Sequence, residues 1–206
     1  MFALVESGEI KIYYSGNKGI TIGDNNYPKA IFTLWTKDER ETIGIYEVEI
    51  DNTNKKDEKW YTNTNITYAF GSGKVTGSYV TATAKAHADT LWTEQDKTDG
   101  KIPTGKDVGD VAVEGLKTVL IRTLKAQAAG ELQNTDWYVI RKADAGTAIP
   151  SAIETHRAAV RTKCASMEAS ITNAADTAAL ETLYTYTTDS EGVQSRPLGE
   201  LPTLES

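Results

Sequence analysis

Two apolar stripes at helical spacing, separated by a polar break at residues 134–137, constrain the fold of this 206-residue chain more than any other feature. The first stripe predicts a helix with an apolar residue at every fourth position: Leu116, Leu120, Leu124, Ala128 and Leu132. The second predicts a helix after Pro150, with two rows of apolar residues seven apart: Ile153, Val160 and Met167, then Cys164 and Ile171. Two amphipathic helices joined by a short connection must cover each other's stripe or find a third surface. The pattern therefore predicts a helical hairpin and favours binding over catalysis.

The N-terminal part has the signals of short strands. Apolar residues alternate along residues 45–50, and Glu6-Ser-Gly-Glu9 marks a hairpin turn. Thr36 followed by Glu39 has the capping-box pattern that opens a short helix. Residues 1–83 are therefore predicted to form a small β-rich domain.

The segments around the hairpin are polar and contain helix breakers. Residues 84–115 are acidic and have few apolar anchors, and they are punctuated by Gly100, Pro103, Gly105, Gly109 and Gly115. This composition predicts a linker. A short third helix near Asp176–Tyr186 completes a helical domain over 116–186, and 187–206 is predicted to be an extended tail. The predicted fold class is α+β, with an N-terminal β-rich domain, a linker and a C-terminal helical hairpin that carries a short third helix.

Charge and cysteine content narrow the function classes. A net charge of −7 argues against a dedicated nucleic-acid or anionic-membrane binder. The single cysteine, Cys164, cannot form an intrachain disulfide, so the fold needs no oxidising compartment. No apolar run approaches the ~18 residues of a membrane span, and the N-terminus lacks a signal-peptide pattern. We expect a protein that is made and used in a reducing cytoplasm.

A search for catalytic or metal-binding patterns finds none that is complete. His87 and His156 lie in different predicted domains, with no further ligands at zinc spacing. The phosphate-loop pattern fails around Gly71-Ser-Gly73-Lys74, which reads better as a hairpin turn. The calcium-loop pattern fails from Asp96 to Asp107, where an EF-hand would end in Glu. We expect a non-enzymatic protein with no catalytic residues, no cofactor and no metal.

The order of short motifs along the helical region resembles a known family. Leu116-Lys is followed by Gly130-Glu-Leu, then Thr135-Asp-Trp-Tyr-Val-Ile-Arg-Lys142, Ala148-Ile-Pro150 and His156-Arg-Ala-Ala-Val-Arg161. This order and spacing resemble the C-terminal helical region of bacteriophage tail-fibre assembly proteins. The opening residues 1–8, and residues 34–48, resemble the N-terminal part of the same group more loosely. The resemblance covers about two thirds of the chain in discontinuous pieces.

The resemblance implies a role and no active site. Proteins of this family are small, are usually encoded beside the fibre, and help it to fold or trimerise; some stay on the virion at the fibre tip. By resemblance, the β-rich domain is expected to give specific docking. The hairpin stripe is expected to cover apolar surface on an incomplete fibre trimer. This chain departs from the family pattern in its longer β-rich domain and in its extra tail over 187–206.

Five residues are candidates for partner binding: Trp137, Tyr138, Arg157, Arg161 and Trp35. Trp and Arg dominate the energetics of many protein interfaces. Each has a simpler alternative. Trp137 is expected to act as a corner plug beneath the helix break, with an interface anchor as the second interpretation. The basic residues of this region form either a solvated face or a contact for an acidic partner, for which the acidic segment 89–114 is one option: Arg157, Arg161 and Lys163, with Arg141 and Lys142 before them.

Two functions of different kinds remain open. The first is a tail-fibre-associated protein that binds the fibre, or another tail or baseplate protein, during assembly in the host cytoplasm. In one variant of this hypothesis the protein is retained on the virion. The second is a constitutive virion subunit of the baseplate, tail or fibre, without chaperone activity and with the option of homo-oligomerisation. A depolymerase acting on host polysaccharide ranks third, because no pair of carboxylates stands out. Neither leading hypothesis involves nucleic acid or a membrane.

Overall fold

The computed structural model describes residues 1–204 and has the predicted mixed α+β composition. The chain forms two compact units, one of residues 1–83 and one that begins at Ala84. Within residues 1–204, no helix has both the length and the apolar character needed to cross a bilayer.

The first unit is built on a curled five-stranded sheet. Its strands and helices are β1 (Phe2–Glu6), β2 (Glu9–Tyr14), β3 (Ile20–Ile22), β4 (Asn25–Tyr27), a 3-10 helix (Lys29–Phe32), α1 (Lys37–Thr42), β5 (Ile45–Asp51), β6 (Tyr61–Gly71) and β7 (Lys74–Ala84). The strand order is β2-β1-β5-β7-β6, while β3 and β4 form a separate hairpin. Strand β1 is antiparallel to β2 and β5, whereas β5 is parallel to β7. The two edge strands β2 and β6 approach each other, and the Tyr13 and Tyr68 ring centroids lie 5.1 Å apart.

Strand β1 is buried on both of its faces. Phe2 and Leu4 point into one core cluster, together with Ile20, Ile31, Phe32 and Ile45. Ala3 and Val5 point into a second cluster with Val75. Because successive side chains of a strand alternate between faces, the apolar run Phe2–Val5 suits a strand that is covered twice.

Two local predictions in this unit are confirmed. Ser72 and Gly73 join β6 to β7 with φ values of 51° and 73°, the left-handed conformation of a two-residue hairpin turn. The Thr36 side chain accepts from the Glu39 N–H, and the Glu39 carboxylate accepts from the Thr36 N–H, which completes the capping box of α1.

The second unit is mainly helical. Its elements are β8 (Thr90–Leu91), α2 (Glu94–Thr98), β9 (Val111–Val113), α3 (Leu116–Gln133), α4 (Asp136–Ala145), α5 (Ser151–Asn173), α6 (Thr177–Tyr184), β10 (Thr187–Thr188) and β11 (Gln194–Ser195). Helices α3 and α5 pack together, and the predicted stripes supply their buried apolar residues: Leu120, Leu124, Ala128, Ile153, Val160, Met167 and Ile171.

The short connection predicted between the two long helices is wrong, because α4 lies between them. Asp136 sits in its first turn, where a negative charge favours the helix dipole. Gly146 ends it with a left-handed φ of 68°. Residues 136–145 thus have their own start and stop signals, although none of them is buried.

The linker predicted over residues 84–115 is also corrected, since this segment caps α3. The first N–H groups of a helix have no partner inside it. Here the Leu116 and Lys117 N–H groups donate to the carbonyls of Ala86 and His87 at 2.9 and 3.0 Å. A side chain on Gly115 would collide with the backbone of Ala88, so this approach requires glycine.

Asp89 completes this cap. Its Oδ1 accepts from the Gly115 N–H at 2.6 Å, and its Oδ2 accepts from the Thr118 hydroxyl at 2.9 Å. Both hydrogen bonds favour the charged carboxylate and hold the pKa of Asp89 below its usual value, and the bond from Gly115 has the larger effect. A polar, glycine-rich segment therefore has a fixed position through hydrogen bonds rather than through apolar anchors.

The tail predicted to be extended from residue 187 folds back where the structure describes it. Strands β10 and β11 pair, and Leu198 is buried, with its N–H donating to the Leu183 carbonyl at 3.0 Å. The Arg196 guanidinium lies over the Tyr184 and Tyr186 rings. The remainder of the predicted tail, Glu205 and Ser206, lies outside the described residues.

The burial of β5 against β1 predicts the effect of a core truncation. Ile45 is fully buried beside Leu4, whereas Ile50 on the same strand is 44% exposed. We expect Ile45→Ala to lower the free energy of unfolding by about 2–5 kcal/mol and Ile50→Ala by less than about 1 kcal/mol. Urea unfolding followed by tryptophan fluorescence measures both, and equal effects would contradict the burial of Ile45 in the core.

The Asp89 cap predicts a dependence on pH. Because its folded pKa is depressed, the charged carboxylate stabilises the fold above the unfolded pKa of about 3.9 and loses this effect as the pH falls through the folded pKa. Asp89→Asn should lower the Tm at pH 7, and the difference from wild type should shrink below about pH 4. The exposed Asp24→Asn is the control. A difference that persists unchanged at pH 2 would mean that charge is not the cause.

Candidate protein-binding surfaces

The residues considered for metal or catalytic chemistry are not brought together. Residues 1–204 contain no group of three or more His, Cys, Asp or Glu side chains placed to hold a metal ion. Asp96, from the calcium-loop comparison, accepts from the Thr93 hydroxyl and N–H at the start of α2, and these bonds lower its pKa. His156 is buried on α5, beside the buried Arg157.

Arg157 is an internal residue and not part of an exposed basic face. Its side chain is 9% exposed, and Nη1 donates to the Leu132 carbonyl at 2.8 Å and to the Thr135 hydroxyl oxygen at 2.6 Å. Nη2 lies 2.8 Å from Asp136 Oδ1. The guanidinium thereby joins α5 to the corner between α3 and α4. Because its donors are used within the chain, Arg157 is a poor candidate for contact with a partner.

The corner itself is filled by Thr135 and not by Trp137. Thr135 is completely buried, and its hydroxyl donates to the Leu132 carbonyl at 2.9 Å. Trp137, expected to be the plug, is 51% exposed on α4. A small hydroxyl side chain bonded to Arg157 suits the tight corner better than an indole. Trp137 therefore presents much of its surface to the outside, as its alternative role as an interface anchor requires.

Trp137 belongs to an aromatic and cationic cluster with Tyr138 and Arg141, which the sequence placed only among the basic residues. The Trp137 and Tyr138 ring centroids lie 4.3 Å apart, and the Arg141 guanidinium lies 4.5 Å from the Trp137 centroid and 5.3 Å from that of Tyr138. Such cation–π contacts orient both groups. The four-residue spacing of Trp137 and Arg141 on a helix was the signal in the sequence.

Arg161 lies on a different surface, at an open groove between α3 and α5. The groove has a volume of about 310 Å³ and is lined mostly by small or apolar side chains, with charged groups at its rim: Ala128, Ala129, Leu132, Cys164, Ala165, Lys125, Glu168 and Arg161. Lys125 and Glu168 pair with each other at 2.7 Å. Arg161 is exposed, and it makes no hydrogen bond or ion pair with any residue in 1–204. Cys164, from the second apolar stripe, is half-buried and also lines the groove.

Trp35, the candidate in the first unit, is half-buried. It packs against the core cluster that contains Phe2, its ring meets that of Tyr27 edge-on at 6.0 Å, and its carbonyl accepts from Arg40 Nη1 at 2.5 Å. The neighbouring Leu34 is 79% exposed. Trp35 therefore has a clear packing role.

The acidic segment 89–114, proposed as a partner for the basic residues, is paired elsewhere. Its ion pairs join Lys97 to Asp107, Lys101 to Asp99, and Glu114 to Arg122. Arg157 pairs with Asp136 instead. The structure therefore does not bring the segment to Arg157 or Arg161.

No family model, curated protein or solved structure matches this chain. The geometry of the two exposed surfaces, the α3–α5 groove and the face of α4, is consequently the structural basis for any functional assignment.

The position of Arg157 predicts a contrast with its neighbour one turn along α5. Arg157→Ala removes the donor to the buried Thr135 hydroxyl oxygen, one donor to the Leu132 carbonyl and the ion pair with Asp136, and we expect a loss of about 2–4 kcal/mol in the free energy of unfolding. Arg161→Ala should change it by no more than about 0.5 kcal/mol, because that side chain is exposed. Urea unfolding monitored by circular dichroism compares them. Similar small effects would show that the guanidinium does not hold the corner.

Proposed function

We propose that this chain is a non-enzymatic, phage tail-associated protein that binds the tail fibre, or another tail component, during assembly in the host cytoplasm. The motif order from Leu116 to Arg161 supports the phage assignment through its resemblance to tail-fibre assembly proteins. The single structural observation that carries the binding role is the open α3–α5 groove with an uncompensated arginine at its rim.

The buried centre of the hairpin stripe is not the binding surface in this proposal. Leu124, Val160 and Ile171 are at most 2% exposed between the helices, so they cannot also cover a fibre. The groove lies at the edge of the stripes, where Ala128, Leu132 and Cys164 line it. The expected mechanism by which the stripe covers an incomplete trimer is thus replaced by insertion of a partner's side chain into the groove.

The lining defines the chemistry of the partner. Ala128, Ala129 and Ala165 leave room for a larger apolar side chain, which gains free energy when it leaves water. Arg161 at the rim favours a carboxylate close to that side chain, since a guanidinium and a carboxylate form strong charge-assisted hydrogen bonds. The proposed ligand is a segment of the fibre, or of another tail component, with an apolar residue near an Asp or Glu.

Charge reversal at the rim tests the groove. Arg161→Glu should weaken binding of the fibre encoded by the same phage by about tenfold or more, because a like-charge contact costs at least about 1.4 kcal/mol. Lys106→Glu makes the same change of charge at an exposed position of the second unit and is the matched control. Both are measured by titration of purified fibre with full-length protein. Equal affinities of the two variants would exclude the groove as the site.

The half-buried Cys164 gives an independent measurement, because it is the only cysteine in the chain and it lines the groove. Bound fibre should slow its reaction with a maleimide. If the fibre binds but leaves this rate unchanged, the contact lies elsewhere on the protein.

Deletion of the gene tests the function itself. Phage without the protein should yield particles with few or no fibres, and particles with a normal fibre content would contradict the proposal. Mass spectrometry of wild-type particles then separates its two variants. A fixed copy number indicates a retained virion component, whereas presence in the lysate alone indicates an assembly factor.

A further inference from the structure

Helix α4 has a face that is largely exposed within the second unit. Trp137, Ile140, Arg141 and Asp144 follow the spacing i, i+3, i+4, i+7, which places them along one side of a helix. Trp137 is 51% and Ile140 67% exposed, and α4 contains no buried residue. A helix of ten residues is too short to be stable alone in water, so packing against another surface is expected to stabilise it.

The charges on this face are of opposite sign, and the half-buried Arg141 guanidinium stacks on the Trp137 and Tyr138 rings. Arg141 and Asp144 make no ion pair within residues 1–204, and the buried Arg141 Nε has no hydrogen-bond partner there. The other charged residues of α4 are paired, Asp136 with Arg157 and Lys142 with Glu154. The exposed face therefore carries one cation and one anion, three residues apart.

Such a face is complementary to itself. Two copies related by a two-fold axis that passes midway between residues 141 and 144 have antiparallel α4 helices. The two positions are about 4.5 Å apart along the helix. Because the axis passes midway between them, Arg141 of each copy lies level with Asp144 of the other. In the same register, the large Ile140 comes level with the small Ala145 of the other copy.

We propose that the α4 face binds the same face of a second copy of this chain, so that the protein is an antiparallel dimer through Trp137, Ile140, Arg141 and Asp144. The two reciprocal ion pairs set the register, and the Trp137 and Ile140 side chains supply the apolar contact. This interface goes beyond the proposed function, because it lies on α4 and leaves the α3–α5 groove open for a tail component.

Charge exchange tests the dimer with the full chain alone. Sedimentation equilibrium should show a concentration-dependent dimer for wild type. Arg141→Asp places carboxylates against carboxylates, and Asp144→Arg places guanidinium groups against each other, so each should raise the dimer Kd by about tenfold or more. Lys142→Asp changes the charge of α4 on its other side, where the surface pair with Glu154 contributes little, and should leave the Kd within about threefold of wild type.

Restoration distinguishes this interface from a general effect of the substitutions. The double variant R141D/D144R re-forms both ion pairs with exchanged signs, and an equimolar mixture of R141D with D144R forms them between unlike copies. Both samples should recover the dimer, while circular dichroism confirms that each variant is folded. A wild-type chain that stays monomeric at high micromolar concentration overturns the proposal, as does a dimer that is indifferent to R141D and D144R. Either result leaves the fibre-binding measurements at Arg161 unaffected.

Discussion

The mutual burial of the α3 and α5 stripes is the interaction on which the second unit depends. Leu120 and Leu124 from one helix and Val160 and Ile171 from the other form its core. Because the large stripe residues are buried against each other, the groove is lined by residues at the edge of the stripes, such as Ala128 and Cys164, with charged residues at its rim. The burial also determines what α4 can do. It connects two helices that are already packed, and it can therefore lie at the corner with no core contact of its own.

The periodic parts of the fold were predictable from the sequence, because burial along a long helix repeats every three to four residues and leaves a visible pattern. Helix α4 was missed for the same reason, since a helix without buried residues has no stripe. The segment 84–115 was predicted wrongly because its position depends on hydrogen bonds that Ala86, His87 and Asp89 accept from the start of α3. Amino-acid composition indicates that a segment is polar, but it does not predict which N–H or hydroxyl group will donate to a carboxylate far away in the sequence.

The candidate residues illustrate the same boundary between pattern and packing. Arg157 and Arg161 are one helical turn apart and chemically identical, yet the first is buried among three acceptors and the second is exposed at the groove. Their roles differ because Arg157 reaches the corner at Thr135, and no periodic pattern in the sequence predicts that corner. Trp137 was recognisable as notable, but its exposure follows from that small residue taking the corner. The contact of Arg141 with Trp137 follows from their four-residue spacing on α4, a helix that the apolar pattern does not reveal.

The cap on α3 determines how this protein can be divided. A fragment that starts at Leu116 would seem to contain the whole helical core, but it would lack the carbonyls of Ala86 and His87 and the Asp89 carboxylate. Its longest packed pair would then begin with unsatisfied N–H groups at the end where α3 starts. The smallest autonomous piece of the helical half therefore begins at residue 84, and the glycine-rich stretch that looks dispensable belongs to the folding unit.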